Sequence, residues 1–326
     1  MIESEGKVPA SWPSIGVVFP AGAPVELLPG FARQAEESGL EELWLVEDCF
    51  LSGGMTMAAT ALAATRKLRV GIGLLPAPVR NPAIAAMEIA TLANLHPGRF
   101  TVAIGHGAAE WMRQIAALPE RRLAALEEVV MATRALLAGS TVSTEGTHVR
   151  LAEVVLDRPP DPPPAVLVGT TGPKGLALAG RCADGILLPE GCGPEFVAWA
   201  LEQATQASPA AGAGVECAVY AWLRVENDAE TARSALVPSI ESWLASGLFP
   251  HPNRFAGTDR PGFESADLVD RLAVAGDASA CAKAIARFAE AGATRLALVP
   301  VGPDLERQLA WLATEVLPAL TSVTAP

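Results

Sequence analysis

Five short stretches hold side chains or backbone groups that could do chemistry, and each closes or follows an apolar run. Glu47-Asp48-Cys49 comes at the end of LWLVE (43 to 47), where carboxylates could carry protons or could equally cap a helix or stand as a solvated acid pair. Gly73-Leu74-Leu75 ends VGIGLL (70 to 75), and Pro189-Glu190 ends GILLP (185 to 189). His106 lies between two glycines in GIGHG after FTVAIG (100 to 105), as a general acid, a hydrogen-bond donor to a ligand, or a plain loop histidine. GTTGPKG (169 to 175) sets two glycines before a helix start, so that backbone N–H groups and the positive helix end face an anion such as phosphate or carboxylate. A tight βα turn would use the same glycines, and the stretch is neither a Walker loop nor GxGxxG. Lys174 and Arg181, and further off Arg80, could add local positive charge there. Glu88, in the apolar helix AIAAMEIATLANL, needs a partner such as Arg80 or Arg99 and reads as structural.

Other chemistries find little support. No lysine ends an apolar run, which removes a Schiff-base site, and Glu47, Asp48 and Glu190 are too few for paired carboxylates on a metal. The four histidines have no i, i+4 spacing, and the five cysteines include no CxxC pair, so reduced thiols and no metal are expected. With 24 basic against 36 acidic residues the net charge is −12, and the four lysines (Lys7, Lys67, Lys174, Lys283) are scattered, which argues against nucleic acid. No apolar stretch reaches 18 residues and the start MIESEGKVPASWP lacks a signal pattern, so a cytoplasmic protein off the membrane is expected.

The elements that must position these residues follow from periodicity. At 326 residues, half of them apolar and 18% charged, the chain has a large folded core. Eight apolar runs (15 to 19, 43 to 47, 70 to 75, 100 to 105, 165 to 169, 185 to 189, 216 to 225, 295 to 300) alternate with helix candidates near 25 to 38, 54 to 66, 82 to 95, 120 to 138, 173 to 182, 194 to 206, 228 to 245 and 304 to 318. Asn81-Pro82 supplies an N-cap and an N1 proline, and Gly139 ends a helix whose Leu123, Leu126, Val129, Val130, Thr133, Leu136 and Leu137 share a face. Eight β and eight α elements predict an α/β fold of the (β/α)8 TIM-barrel kind, one domain over 1–326. Its active groups belong at the strands' C-terminal ends. Two insertions interrupt it, at about 140–164 (a hairpin turning at Glu145-Gly146, then a proline-rich connector) and 248–266, a lid or binding loop before a helix at Asp267 to Val274.

Taken together, Gly39-Leu-Glu-Glu-Leu-Trp-Leu-Val-Glu-Asp48, the segment Arg80 to Leu92, Pro97-Gly-Arg-Phe-Thr-Val-Ala-Ile-Gly-His-Gly107 and the segment Gly172 to Gly185, with a weaker echo at Ala289 to Leu298, resemble the luciferase-like superfamily of flavin and deazaflavin oxidoreductases over about residues 14 to 320. The chain looks most like its coenzyme F420 branch, as in methylenetetrahydromethanopterin reductase. The resemblance implies a deazaflavin ring at the strand ends, held by Asp48, Cys49, Gly73, Leu74, Leu75, His106, Leu188 and the turn Gly169, Thr170, Thr171, Gly172, Pro173 and Lys174, with a non-prolyl cis peptide at Gly73-Leu74. Cys49 stands where many relatives have histidine. Ala108 stands where glucose-6-phosphate-oxidising relatives have an acid, which disfavours that substrate.

The implied activity is hydride transfer between the deazaflavin C5 and an imine, iminium, carbonyl or activated alkene of a small molecule, with Asp48 or His106 as proton donor. Glu110, Trp111, Phe249 and His251, with Phe255, are the expected substrate contacts. FMN with molecular oxygen, as in a monooxygenase, and a catalytically silent flavin carrier are the alternatives. A homodimer through the second to fourth βα units is implied as well, for which helix 55 to 65 offers small side chains.

Overall fold

The computed structural model describes residues 12–209, 214–258 and 264–323; Lys7 and positions 259–263 of the expected lid loop lie outside them. Strands β1 (Ser14–Val18), β2 (Glu42–Leu45), β3 (Arg69–Pro76), β4 (Phe100–Gly105), β7 (Val166–Gly169), β8 (Gly185–Leu188), β9 (Glu216–Val225) and β11 (Arg295–Pro300) are the eight apolar runs. They pair in parallel in that order, and β11 returns to β1 while β8 meets β9, closing the barrel. Between β4 and β7 the expected insertion forms a hairpin of β5 (Val142–Glu145) and β6 (Arg150–Val154). Glu128 accepts the N–H groups of Thr147, His148 and Val149 at 3.1, 2.7 and 2.8 Å, which fastens the hairpin turn to the barrel's outer layer.

The helices are α1 (Leu28–Glu37), α2 (Gly54–Ala64), α3 (Pro82–Leu95), α4 (Ala109–Gln114), α5 (Arg122–Leu137), α6 (Pro173–Cys182), α7 (Pro194–Ala207), α8 (Ala229–Ser246), α9 (Pro250–Ala256), α10 (Val269–Leu272), α11 (Ala278–Glu290), α12 (Leu305–Trp311) and α13 (Leu317–Ala319). Asn81 Oδ1 accepts from Ala83 N at 2.9 Å, the cap that Asn81-Pro82 predicts. Three expectations need correction. The helix foreseen over 267 to 274 stops at Leu272, because Ala273–Gly276 forms a ninth strand, β10, on the upper end of the ten-residue β9. Helix α11, capped by Asp277 on Ala280 N at 2.8 Å, is absent from the eight expected helices. The lid loop contains a helix, α9, started by Pro250. None of the described helices is long and apolar enough to cross a membrane.

Outward strand residues such as Ile15, Leu43, Leu45, Val102 and Val168 pack under the helices in one core, while Val18, Trp44, Ala103, Leu167, Leu187, Ala218, Tyr220 and Ala297 fill the barrel. Trp44 fits inside because its neighbour is Gly71, where a Cβ would stand 2.5 Å from the indole. The barrel's lower end is closed by charge. Glu42, 1% exposed, binds Arg295 at 2.8 Å, Arg69 at 3.1 Å and the indole N–H of Trp44 at 2.8 Å. A carboxylate so deeply buried needs such partners, and its place at the strands' N-terminal ends marks it as structural.

Candidate active site

At the opposite end, around the barrel mouth, lie several of the sequence-predicted groups. In β3 the Gly73–Leu74 peptide is cis, as the resemblance implies, and the β3–β4 register shifts between Ile72 and Leu75. The bulge sends the Leu74 side chain across to the neighbouring strands, where Gly105 and Gly169 make room for it: a Cβ at either would stand 2.5 Å from Leu74 Cδ2. An apolar shelf results in mid-mouth. Beneath Gly73 lies the hydroxyl of Tyr220, the chain's one tyrosine, 3% exposed and without a hydrogen-bond partner among the described residues. Tyr220 stacks edge-on against Trp44 at 5.8 Å. Its place inside is foretold by spacing, since Ala218, Tyr220 and Trp222 alternate along β9, yet residue type alone did not single it out.

Asp48 and Glu47 part company here. Asp48 continues the two-residue spacing of Trp44 and Val46, both barrel-lining, and its carboxyl is pushed up by burial. Glu47 turns outward to Arg80, at 2.5 and 2.8 Å, and accepts the N–H of Gly54 at the start of α2 at 2.7 Å. Arg80, also 3.7 Å from Glu88, is therefore engaged and does not serve as a free anion donor; Arg99, the other partner foreseen for Glu88, caps carbonyls of Leu62, Thr65 and Leu68 instead. Cys49 follows, in a cis peptide with Phe50, its thiol pushed up by burial and then by Glu47 and Asp48. Glu190, after β8, is raised by burial and then by the charge of Asp48. His106 is half-buried, and burial with the nearby Arg122 charge brings it down to about 4. Near neutrality it is an uncharged hydrogen-bonding group.

The turn Gly169 to Gly175 leads into α6 with Gly172 as N-cap and Pro173 at the first position. The Thr170 hydroxyl packs over Gly175, where a Cβ would stand 2.1 Å away, so its side chain braces the turn, while Thr171 is half-exposed. Lys174 is exposed and makes no ion pair among the described residues. Arg181 does not join it. It stands in the last turn of α6, about 12 Å along the axis, and pairs with Glu127 at 3.1 Å. His251 does meet the turn: a Cβ on Gly172 would lie 3.7 Å from its Nε2. Leu75 and Leu188 are buried in the surrounding strands.

Beside the mouth a cavity of about 490 Å³ is lined by Glu190, Trp222, Ser239, Ser242, Trp243 and Phe249 among others. Phe249 stacks on Trp243 at 6.3 Å and 15°, and Trp222 meets Trp243 at 86°. Of the other expected substrate contacts, Trp111 is half-buried, and Glu110 is exposed and pairs with Arg113 at 2.8 Å. Phe255 points elsewhere, against Phe196 and Trp199 at 5.2 Å each. Among the described residues no group of three His, Cys, Asp or Glu is arranged to hold a metal ion.

A parallel eight-stranded barrel with an apolar shelf across its mouth and a glycine-rich turn at a helix start beside it defines a TIM-barrel protein. Residues 16–295 match the luciferase-like monooxygenase family, and the chain belongs to it. The 5,10-methylenetetrahydromethanopterin reductase of Methanolobus tindarius is 24% identical, the match covering 93% of this chain and 99% of that protein. The F420-dependent glucose-6-phosphate dehydrogenase of Amycolatopsis mediterranei is 29% identical, over 90% and 94%. Among solved structures, an F420-dependent secondary alcohol dehydrogenase in complex with an F420-acetone adduct superposes with a TM-score of 0.80 at 23% identity, covering 95% of this chain and 99% of that one. The FMN complex of the oxygenating constituent of 3,6-diketocamphane monooxygenase from Pseudomonas putida gives 0.75 at 17% identity, over 94% and 98%. These two likenesses establish the fold.

Proposed function

We propose that the protein is a coenzyme F420-dependent oxidoreductase acting on a small molecule with an imine, iminium, carbonyl or activated alkene. The observation that carries this is the Leu74 shelf over Gly105 and Gly169, which offers a flat apolar seat beside the Gly172-Lys174 turn. Full-length sequence relatives named for F420 favour the deazaflavin over FMN. When bound, coenzyme F420 supplies a hydride at ring carbon C5. The chain's residues do the rest. Gly73 and Leu74 support the ring, the N–H groups at the start of α6 and Lys174 take its phosphate, and His251 and Phe249 close the side nearest α9. Asp48, whose burial favours its neutral form, holds a proton beside the seat. A fluorescence titration of purified protein with coenzyme F420 should give a saturable change at micromolar concentrations. A flat titration discards this proposal, and oxygen uptake with reduced FMN in step with product puts the monooxygenase in its place.

The same proposal includes a homodimer, with its contact on α3 in place of α2. The outward face of α2 is Thr56, Thr60 and Ala63, whereas Ile84, Met87 and Leu95 of α3 and Met131 of α5 are exposed apolar side chains. Light scattering should report a dimer that Met87→Glu splits, and a monomeric parent protein would refute it.

A further inference from the structure

Resting on the oxidoreductase proposal, we infer that the cavity beside the barrel mouth binds an organic cation, a substituted ammonium or iminium, with the Glu190 carboxylate as counter-charge and Trp222, Trp243 and Phe249 as its aromatic walls.

The charge pairing of the molecule points there first. Glu42 has Arg69 and Arg295, Glu47 has Arg80, and Glu226 has Arg224 and Arg307. Asp48 and Glu190 stand apart from this pattern: among the described residues neither has a basic partner, although each feels burial and Glu190 also feels Asp48. The residues lining the cavity include no lysine or arginine. Burial and the Asp48 charge raise Glu190 toward its neutral form while the cavity is empty, so the acid offers nothing to a phosphate ester and becomes a counter-charge when a cation lies beside it.

The cavity walls supply the second, independent reason. Trp222 and Trp243 stand at 86° with centroids 5.9 Å apart, and Phe249 lies parallel to Trp243, so two ring planes meet at a corner that Glu190 shares. Gly191, with φ +82°, lets the Trp243 indole lie against the chain directly after Glu190. Aromatic faces attract a cation through their ring quadrupoles, including at partly open sites. Polar groups complete the corner. Ser239, Ser242 and Ser246 of α8 face the cavity, and Nε1 of the lining Trp243, a residue more than nine-tenths buried, has no hydrogen-bond partner among the described residues. The chemistry also suits a site without a neutral-pH imidazolium. An iminium carbon that accepts a hydride gains both its electrons at the expense of the reduced deazaflavin, the C=N π pair becomes the nitrogen lone pair, and no proton is consumed.

Calorimetry on the full chain without cofactor tests this. The probes are N,N-dimethylpiperidinium, charged at every pH, and its neutral counterpart in size and shape, 4,4-dimethyltetrahydropyran. The cation should bind at least tenfold more tightly. Glu190→Gln should lower cation affinity about tenfold and leave the neutral probe unchanged, and Ser242→Lys, which sets a positive charge at the cavity rim, should lower cation affinity by repulsion. Equal affinity for the two probes, or cation affinity unmoved in both variants, overturns the inference. A coenzyme F420 titration of the same preparations keeps the two ideas apart: cofactor binding without cation preference sinks only the cation site, whereas no cofactor binding by the parent protein sinks the oxidoreductase proposal beneath it.

Discussion

Glu47 grips Arg80 with both carboxylate oxygens, 2.5 Å to Nη1 and 2.8 Å to Nη2, and the same carboxylate receives the Gly54 N–H at 2.7 Å. One acid thus ties the end of β2 to the loop before α3 and to the start of α2. With side chains only 10% and 24% exposed, the pair is nearly buried. Arg80→Met leaves Glu47 charged and half-satisfied, and should cost about 2 kcal/mol, below the 3–5 kcal/mol of a fully buried pair. Urea denaturation reads it; a cost under about 0.5 kcal/mol would show that the pair is surface-like.

Lys174 should behave in the opposite way. It is exposed and makes no ion pair among the described residues, so Lys174→Glu should leave stability within about 0.5 kcal/mol of the parent. It should weaken coenzyme F420 about tenfold, the scale of a charge at a helix N-terminus, and barely change the binding of a phosphate-free deazariboflavin. Equal losses for both ligands would remove Lys174 from the phosphate site.

His106 gives a pH signature. Its folded pKa is lowered from 6.5 to about 4 by burial and Arg122, so between these values the unfolded chain takes up a proton that the folded chain refuses. Its contribution is whole above pH 6.5 and is lost as the pH falls to about 4. After allowance for partial solvent contact it is on the order of 1–2 kcal/mol. Urea midpoints at pH 7 and pH 4 should fall further for the parent than for His106→Gln, and parallel falls would contradict the assignment.

Gly73 and Tyr220 should prove coupled. An alanine Cβ at 73 would meet the Tyr220 hydroxyl at 2.2 Å and Leu187 Cδ2 at 2.7 Å. Gly73→Ala should destabilise by about 1–3 kcal/mol through overpacking. Adding Tyr220→Phe removes one colliding atom and should recover at least about 0.5 kcal/mol in a double-mutant cycle. Simple additivity would mean that the collision is relieved by backbone movement.

Much of this protein is legible one stretch at a time. Barrel strands are buried on both faces, so IGVVF, FTVAIG and RLALVP announce themselves as apolar runs without reference to their neighbours. The Gly172-Pro173 helix start and the Asn81 cap are equally local, and the cis peptide at Gly73-Leu74 was legible through family resemblance. Tertiary structure decided where the charges go. Arg80 lies 33 positions from the Glu47 that occupies it, and Arg181 sits at the far end of the helix whose start it was expected to serve. It also turned Ala273–Gly276 into a strand by presenting the upper edge of β9, and it brought Trp222, Trp243 and Phe249 around Glu190. Periodicity reports which face of an element is buried. The partner of a charge or a ring depends on distance through space, and only the closed barrel sets that.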